Sequence, residues 1–250
     1  MAIKLSRFYN QRVGMHEEKI IIGSNDIDTN FDSKLAVFFR TMQDVITHET
    51  NILGIGSVDL KKQNILWVIS RVQVEINRLP KYQEEIICQT YPGTDMKMFY
   101  PRYFRMLDKD GNVLVNLSSI WAIIDSETRK PILKCPFSEK LYEQHLSDEL
   151  PFPKKIEVDE ELNFIEKRKI HYSDVDLNGH LNNVRYIELM SDVHDSSFHE
   201  IHPIKSLTLN YLKEIKEGSE VEVFSSKGNP EFIQIKSDGQ ICFIAQITYK

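Results

Sequence analysis

Residues 173–193 read SDVDLNGHLNNVRYIELMSDV, and residues 25–45 read NDIDTNFDSKLAVFFRTMQDV. The two stretches align without a gap and share six identical residues. They are Asp26, Asp28, Asn30, Met42, Asp44 and Val45, opposite Asp174, Asp176, Asn178, Met190, Asp192 and Val193. In both, a polar loop precedes a segment whose apolar residues recur with the period of a helix. The chain therefore contains an internal repeat, which restricts the possible folds more than any single motif.

The repeat continues downstream in the same order. Two pairs of segments alternate in the manner of antiparallel strands joined by polar turns. The first pair is 72–90 with 207–225, and the second is 103–121 with 231–249. The second pair places Asp110-Gly111 and Asp238-Gly239 at equivalent hairpin turns. With a leading strand predicted at 19–23 and at 167–171, each half has a strand, a loop, a helix and a run of strands.

This order of elements predicts an α+β fold in which each half is a curved antiparallel sheet wrapped around one long helix. It resembles the hot-dog architecture, so we predict a tandem double hot-dog. Residues 132–163 are rich in charges and prolines, a composition typical of a linker. We place the boundary near residue 150, which predicts an N-terminal unit at 1–150 and a C-terminal unit at 151–250.

Composition narrows the possible partners and compartments. The net charge of -6 argues against binding to nucleic acid. The three cysteines are odd in number and form no C-x-x-C pair, which favours a reduced, cytoplasmic location without a zinc site. No apolar run has the length of a signal peptide or a membrane span, so no membrane insertion is expected.

The two copies differ in chemical type at two positions. His180 replaces the aspartate at position 32, and Glu214 replaces the leucine at position 79. Histidine and glutamate suit general acid and base chemistry near neutral pH, so a single site is predicted in the second half. Gly179 permits an unusual dihedral or a close approach to a ligand, and the following helix N-terminus suits a developing oxyanion.

The polar residues that the two loops share allow two interpretations. Asp176 and Asn178 are candidate site residues, but they also have the composition of turn and cap residues, as their counterparts in the first half do. Asn182 and Asn183 are interpreted as helix caps. His194, His199 and His202 are close enough in sequence to suggest a metal, but a solvated helix end accounts for them better.

The segment HYSDVDLNGHLNNVRYIEL (171–189) resembles the signature of the acyl-acyl-carrier-protein thioesterase family. Residues 67–93 and 209–221 resemble other strands of that family, so the resemblance covers most of the chain. It implies a double hot-dog fold, an acyl carrier protein as partner, no metal or other cofactor, and a catalytic network at Asp176, Asn178, His180 and Glu214. Plant members carry cysteine after the glutamate; Ile215 stands here, which excludes a thiol nucleophile at that position.

Hydrolysis of a thioester needs an activated nucleophile, stabilisation of the oxyanion and a slot for the acyl chain. Glu214 or Asp176 would be the base or nucleophile, while Asn178 and His180 orient water and carbonyl. Apolar residues of the catalytically silent first half, with Trp67 a candidate, would line the slot. A G-x-S-x-G elbow is absent from the sequence.

Two other functions fit the same pattern. One is a hot-dog hydratase or dehydratase of 3-hydroxyacyl thioesters, and the other is a non-catalytic acyl-thioester-binding protein. The combination of Glu214 with the loop residues argues against both. The sequence leaves open acyl-chain length, the choice between carrier protein and coenzyme A, and the choice between monomer and homodimer.

Overall fold

The computed structural model describes residues 7–10, 14–141, 143, 145–147 and 149–250. Within these residues the first half of the fold contains six strands and two α-helices. They are β1 (Arg7–Asn10), β2 (Met15–Ile21), α1 (Leu35–Ile52), α2 (Ser57–Lys61), β3 (Ile65–Ile76), β4 (Glu85–Pro92), β5 (Tyr100–Leu107) and β6 (Val113–Asp125). The second half contains five strands and two helices. They are β7 (Asn163–Lys169), α3 (Asn183–Ser191), α4 (Ser196–Ile201), β8 (Ile204–Tyr211), β9 (Glu220–Ser225), β10 (Glu231–Ser237) and β11 (Gln240–Tyr249).

In the described part of the chain the strands form one eleven-stranded antiparallel sheet, in the order β1-β2-β4-β5-β6-β3-β8-β11-β10-β9-β7. From β2 to β3 the order is the mirror of that from β7 to β8, as expected of a duplicated unit. The halves join where β3 pairs with β8, with Val72 opposite Leu209. The predicted α+β class and the internal repeat are therefore confirmed, and the two sheets are continuous.

The apolar faces of α1 and α3 are buried in one core. Phe38 and Val45 of α1 and Ile187 and Met190 of α3 are at most 1% exposed and belong to the same cluster as the strand residues. Burying each such side chain stabilises the fold by about 1.5–3 kcal/mol. Because α1 also contacts α3 directly, the surface between the halves runs along these two helices.

The helix of the second half is shorter than predicted. The first half has one helix of eighteen residues, whereas α3 has nine and is followed by the separate α4. The Asp195 carboxylate accepts a hydrogen bond of 3.0 Å from the Phe198 N–H and caps α4 as a new start. The prediction of one long helix in each half was therefore wrong for the second half, because a capping residue interrupts the helix there.

The two predicted hairpins are present but differ in loop length. β10 and β11 are joined by Asp238 and Gly239, both with positive φ, as a two-residue turn requires. β5 and β6 are joined by residues 108–112, where the Asp108 carboxylate accepts hydrogen bonds from the N–H groups of Asp110 and Asn112. A bulge interrupts each pairing near its turn, between Ile235 and Lys236 of β10 and between Met106 and Leu107 of β5.

The segment between β6 and β7 packs on the sheet. Ser118 donates a hydrogen bond of 2.7 Å to the Pro151 carbonyl, and the Ile156 N–H donates one of 2.9 Å to the Asn210 side chain. Ile156 is buried with Phe232 of β10. The boundary near residue 150 stays a prediction. No helix in the described ranges is long and apolar enough to cross a membrane.

Candidate active site

Asp176 organises the loop before α3. One carboxylate oxygen accepts hydrogen bonds from the N–H of Asn178 at 2.8 Å and of His180 at 3.4 Å. The other carboxylate oxygen lies 3.4 Å from the side-chain amide nitrogen of Asn178. The Asp176 N–H donates to the His180 carbonyl at 2.9 Å and closes the loop. Asp176 therefore fixes the positions of both polar residues that follow it.

The first half contains the same loop. Asp28 accepts hydrogen bonds from the N–H of Asn30 at 2.8 Å and of Asp32 at 3.1 Å. Phe31 has φ 63°, and Gly179 at the equivalent position has φ 76°. The predicted unusual dihedral at Gly179 is thus confirmed, and it belongs to the fold because a phenylalanine adopts it in the other copy. The copies differ in the side chains that this loop presents.

His180 and Glu214 come together across two loops. The backbones of His180 and Lys216 form a β-bridge, which places the loop after β8 beside the loop before α3. His180 Nε2 and Glu214 Oε2 lie 3.5 Å apart. His180 is 20% exposed and Glu214 41% exposed, so the pair faces an opening rather than the core. The predicted proximity of these two residues is confirmed.

In the first half the corresponding positions carry different side chains. Asp32 and Lys81 form the equivalent β-bridge, and their side chains form an ion pair at 3.5 Å. Leu79, the counterpart of Glu214, packs against the core. The two differences identified by aligning the copies therefore lie at one place in the fold.

Arg129 also belongs to the site and was missed in the sequence. It follows β6 in the first half, and its guanidinium forms an ion pair with Glu214 Oε1. Residue 129 lies outside the segments that align between the copies, so their comparison could not have identified it. The prediction placed the site in the second half alone, whereas the first half also supplies this cation.

Two adjoining cavities meet at the loop. One, of about 370 Å³, contains Arg129, His180 and Glu214 in its wall. The other, of about 380 Å³, lies between α1 and α3. Residues of both halves line both cavities, namely Trp67, Ile69, Asp176, Asn178, Asn183 and Tyr211. A ligand reacting beside His180 could thus extend from one cavity into the other.

The cavity between the helices has an apolar wall from the first half. Phe39, Met42 and Ile46 of α1 face it, as do Trp67 and Trp121. The prediction that first-half residues, Trp67 among them, would line a slot beside the site agrees with this arrangement. Trp67 also packs edge-on against Tyr100 at 5.4 Å between ring centroids, which limits its movement.

The start of α3 differs from expectation at one asparagine. The Asn182 side chain accepts a hydrogen bond of 2.8 Å from the Val184 N–H, so its predicted role as a cap is confirmed. Asn183 is the first residue of the helix and lines both cavities. Its interpretation as a cap was wrong, because the cap position was already filled by Asn182.

Two tyrosines border the site and stay protonated. Burial raises the pKa of the Tyr186 hydroxyl and of the Tyr211 hydroxyl well above the ordinary value. The Tyr186 hydroxyl donates to the Lys213 carbonyl at 3.4 Å, and the Tyr211 hydroxyl donates to the Asn183 carbonyl at 3.3 Å. These neutral, tethered groups form a rigid wall beside Glu214.

The three histidines near α4 make separate contacts. His194 Nε2 lies 2.9 Å from the carboxylate of Glu231, and its ring stacks on Phe198. His202 stacks on the other side of the same ring, while His199 bonds to the Ser191 carbonyl. Their imidazoles are thus engaged at the end of the helix.

Ile215, at the position of the plant cysteine, is 2% exposed and buried in the core.

Two family models match this chain over most of its length. The acyl-ACP thioesterase N-terminal domain matches residues 14–134, and the acyl-ACP thioesterase C-terminal domain matches residues 153–249. The chain belongs to the acyl-ACP thioesterase family. The family resemblance inferred from 171–189 is therefore confirmed.

Solved structures show the same fold. An acyl-ACP thioesterase from Bacteroides thetaiotaomicron has a TM-score of 0.86 at 24% identity, covering 97% of this chain and 100% of that one. A 12:0-ACP thioesterase from Umbellularia californica has a TM-score of 0.84 at 19% identity, covering 97% and 99%. The predicted hot-dog fold is confirmed.

Curated relatives of this acyl-ACP thioesterase family member are longer proteins. The oleoyl-acyl carrier protein thioesterase 2 of Arabidopsis thaliana is 21% identical over 243 residues, which cover 90% of this chain and 66% of the relative. The palmitoyl-acyl carrier protein thioesterase of Cuphea hookeriana is 24% identical over 216 residues, 80% of this chain and 52% of the relative. The chain thus spans about half to two thirds of their length.

Proposed function

We propose that this protein hydrolyses fatty acyl-acyl-carrier-protein thioesters to free fatty acid and carrier thiol, the step that ends fatty acid synthesis. One observation carries the proposal: His180 and Glu214 meet in the wall of one cavity, which adjoins a second cavity extending between the two helices. Family membership agrees with it. The place where the two cavities adjoin would hold the thioester carbonyl, and the cavities would hold the two arms of the substrate.

Glu214 is the proposed general base. Its carboxylate pairs with Arg129 and lies near His180 in the wall of the cavity. The Asp176 carboxylate, in contrast, already accepts hydrogen bonds from its own loop. Asp176 is therefore assigned to holding Asn178 and His180 in place.

The reaction is a two-step addition and elimination. Glu214 takes a proton from water while the water oxygen bonds to the carbonyl carbon, and the negative charge moves to the carbonyl oxygen. Donors from the Asn178 amide and the His180 imidazole stabilise this oxyanion. The intermediate then expels sulfur, which leaves as the thiol after receiving the proton held by Glu214.

The acyl chain is assigned to the cavity between α1 and α3. Its apolar wall of Phe39, Met42, Ile46 and Trp67 suits a hydrocarbon chain, and burying each methylene contributes about 0.8 kcal/mol. The first half thus supplies the slot while its own loop, with Asp32 and Leu79, performs no chemistry.

The partner and compartment follow from the same proposal. The acyl group would arrive on the phosphopantetheine of an acyl carrier protein, through the cavity that contains Glu214. Cys88, Cys135 and Cys242 are all free, which suits the reduced cytoplasm proposed as its location.

The proposal is tested by measuring release of free thiol and free acid from a long-chain acyl-carrier-protein thioester. Glu214→Gln and His180→Ala should each lose at least about 100-fold in kcat. Asp32→Ala, at the position equivalent to His180 in the first half, is the matched control and should keep wild-type kcat. Equal losses in the control, or unchanged kcat in both site variants, would contradict the assignment.

The product distinguishes hydrolysis from the hydratase alternative. A hydratase would convert a 2-enoyl thioester to the 3-hydroxyacyl thioester and leave the thioester bond intact. Mass spectrometry of the same incubation separates the two outcomes. We expect free acid with the 2-enoyl substrate; an intact hydrated thioester would instead favour the hydratase.

A further inference from the structure

We propose that Arg129 is a positioning residue: reaching from the first half, it holds the Glu214 carboxylate in the orientation from which it acts. This inference rests on the proposed function. Glu214 lies in an exposed loop, where a free glutamate would sample several rotamers. Ion pairing of Oε1 with Arg129 and proximity of Oε2 to His180 fix both oxygens.

The turn that carries Arg129 is built to present it. The Asp125 carboxylate accepts hydrogen bonds from the Thr128 N–H at 2.7 Å, the Thr128 hydroxyl at 2.8 Å and the Glu127 N–H at 3.1 Å. These bonds, led by that from the Thr128 backbone, lower the pKa of Asp125. The Arg129 N–H then donates to the Asp125 carbonyl at 2.9 Å. Asp125 thus helps to order the turn that presents Arg129.

Arg129 has a backbone conformation that residues other than glycine rarely adopt. Its φ is 58°, in the left-handed region that favours glycine. A non-glycine residue in this region costs about 1 kcal/mol or more, so it is retained where surrounding structure or function requires it. The turn sets this φ, as the loop does at Phe31, and the side chain that the turn carries reaches Glu214 in the other half.

Neighbouring cations do not replace Arg129. Lys213 is adjacent to Glu214 in sequence, but its ammonium donates to the Gln240 side chain instead. Lys130 is adjacent to Arg129 and is exposed, and its carbonyl is used by the Asp125 N–H in the same turn. The planar guanidinium can hold a carboxylate oxygen in a fixed direction, which a lysine ammonium does less well.

The consequence is that the active site is completed by both halves. Catalytic groups must be held within about 0.5 Å of the productive geometry, and a misplacement of about 1 Å costs about 100-fold in rate. Separating the β6 turn from the loop after β8 would therefore lower activity without changing any residue that contacts the substrate. Arg129 links the half that supplies the apolar wall of the acyl cavity to the base that activates the attacking water.

The test compares Arg129→Ala and Arg129→Lys with Lys130→Ala, a matched control that removes a charge from the same turn. The substrate is an acyl N-acetylcysteamine thioester, which has no phosphate that an arginine could bind. We expect Arg129→Ala to lower kcat about 10- to 100-fold with KM changed less than about threefold. Arg129→Lys should recover part of the loss, and Lys130→Ala should match wild type.

A double variant shows whether Arg129 acts through Glu214. If it does, Arg129→Ala adds no further loss to Glu214→Gln, because the group that Arg129 positions is already gone. Full additivity of the two losses would overturn the proposal. So would a loss seen only as a higher KM, or only with phosphate-bearing substrates, since either would assign Arg129 to substrate binding.

A crystal structure of Arg129→Ala supplies a readout that does not depend on activity. We expect the Glu214 carboxylate to leave its place 3.5 Å from His180 Nε2. An unmoved Glu214 would contradict the positioning role, even if the protein were inactive. Failure of the wild type to cleave any thioester would instead contradict the proposed function, so the two failures are distinguishable.

Discussion

Substituting the loop aspartate in each half, Asp28→Asn and Asp176→Asn, separates the structural role of this residue from its role in the reaction. Each aspartate accepts two backbone N–H bonds, at 2.8 and 3.1 Å for Asp28 and at 2.8 and 3.4 Å for Asp176. Asparagine keeps an acceptor oxygen but loses the charge. Charge-assisted bonds are about twice as strong as neutral ones, so each variant should lose about 1 kcal/mol of stability.

The kinetic effect should differ between the two copies. A loss of about 1 kcal/mol lowers the melting temperature by about 2–4 °C in a chain of this size, and both variants should show it. Only Asp176→Asn should lower kcat, by about 10- to 100-fold, because it loosens Asn178 and His180 beside the carbonyl. Thermal unfolding and thiol release measured on the same preparations provide the comparison. A similar loss of kcat in Asp28→Asn, or none in Asp176→Asn, would refute the reasoning.

Three further changes have defined outcomes. Glu214→Gln should lower kcat by about 10²- to 10⁴-fold, more than Asp176→Asn does; the reverse order, measured at one pH, would make Asp176 the base. Met42→Trp fills the cavity between the helices and should lower kcat/KM for long acyl chains relative to short ones by at least about tenfold, whereas an unchanged ratio would place the chain elsewhere. Glu18 is buried; burial raises its pKa, but contacts with His16 and His48 outweigh this and lower it below the ordinary 4.5. The stability that the charged Glu18 gives the folded protein is thus present above pH 4.5 and lost as the pH falls through the lowered folded-state pKa. Urea unfolding should show Glu18→Gln less stable by about 1.5–3 kcal/mol at pH 7, with a smaller difference in acid; a constant difference down to pH 3 would contradict this.

The repeated fold could be predicted because duplication leaves two records of one pattern. The loop of Asp28 and the loop of Asp176 have the same hydrogen bonds, so their identity in sequence reports identical structure. The two positions that differ, His180 and Glu214, lie beside each other because the β-bridge that joins their loops occurs in both halves. Comparing the copies thus separates residues kept for folding from residues that one half uses differently.

Other features depended on contacts that the repeat does not record. Arg129 reaches Glu214 across the junction of the halves, and sequence distance gives no sign of that ion pair. The division of the second helix depends on Asp195, whose side chain competes with the helix for the Phe198 N–H. Asn183 resembled a cap in sequence, but the structure places the cap at Asn182, and Asn183 begins the helix and lines the cavities.

The most direct measurement is release of free thiol by the wild-type protein from a matched panel of acyl-carrier-protein and coenzyme A thioesters of several chain lengths. We predict hydrolysis of the carrier-protein thioesters, with an optimum chain length set by the cavity between α1 and α3 and with activity lost in Glu214→Gln. Absence of thiol release on every member of the panel would contradict the hydrolase proposal. Release that persists in Glu214→Gln would contradict the placement of the site.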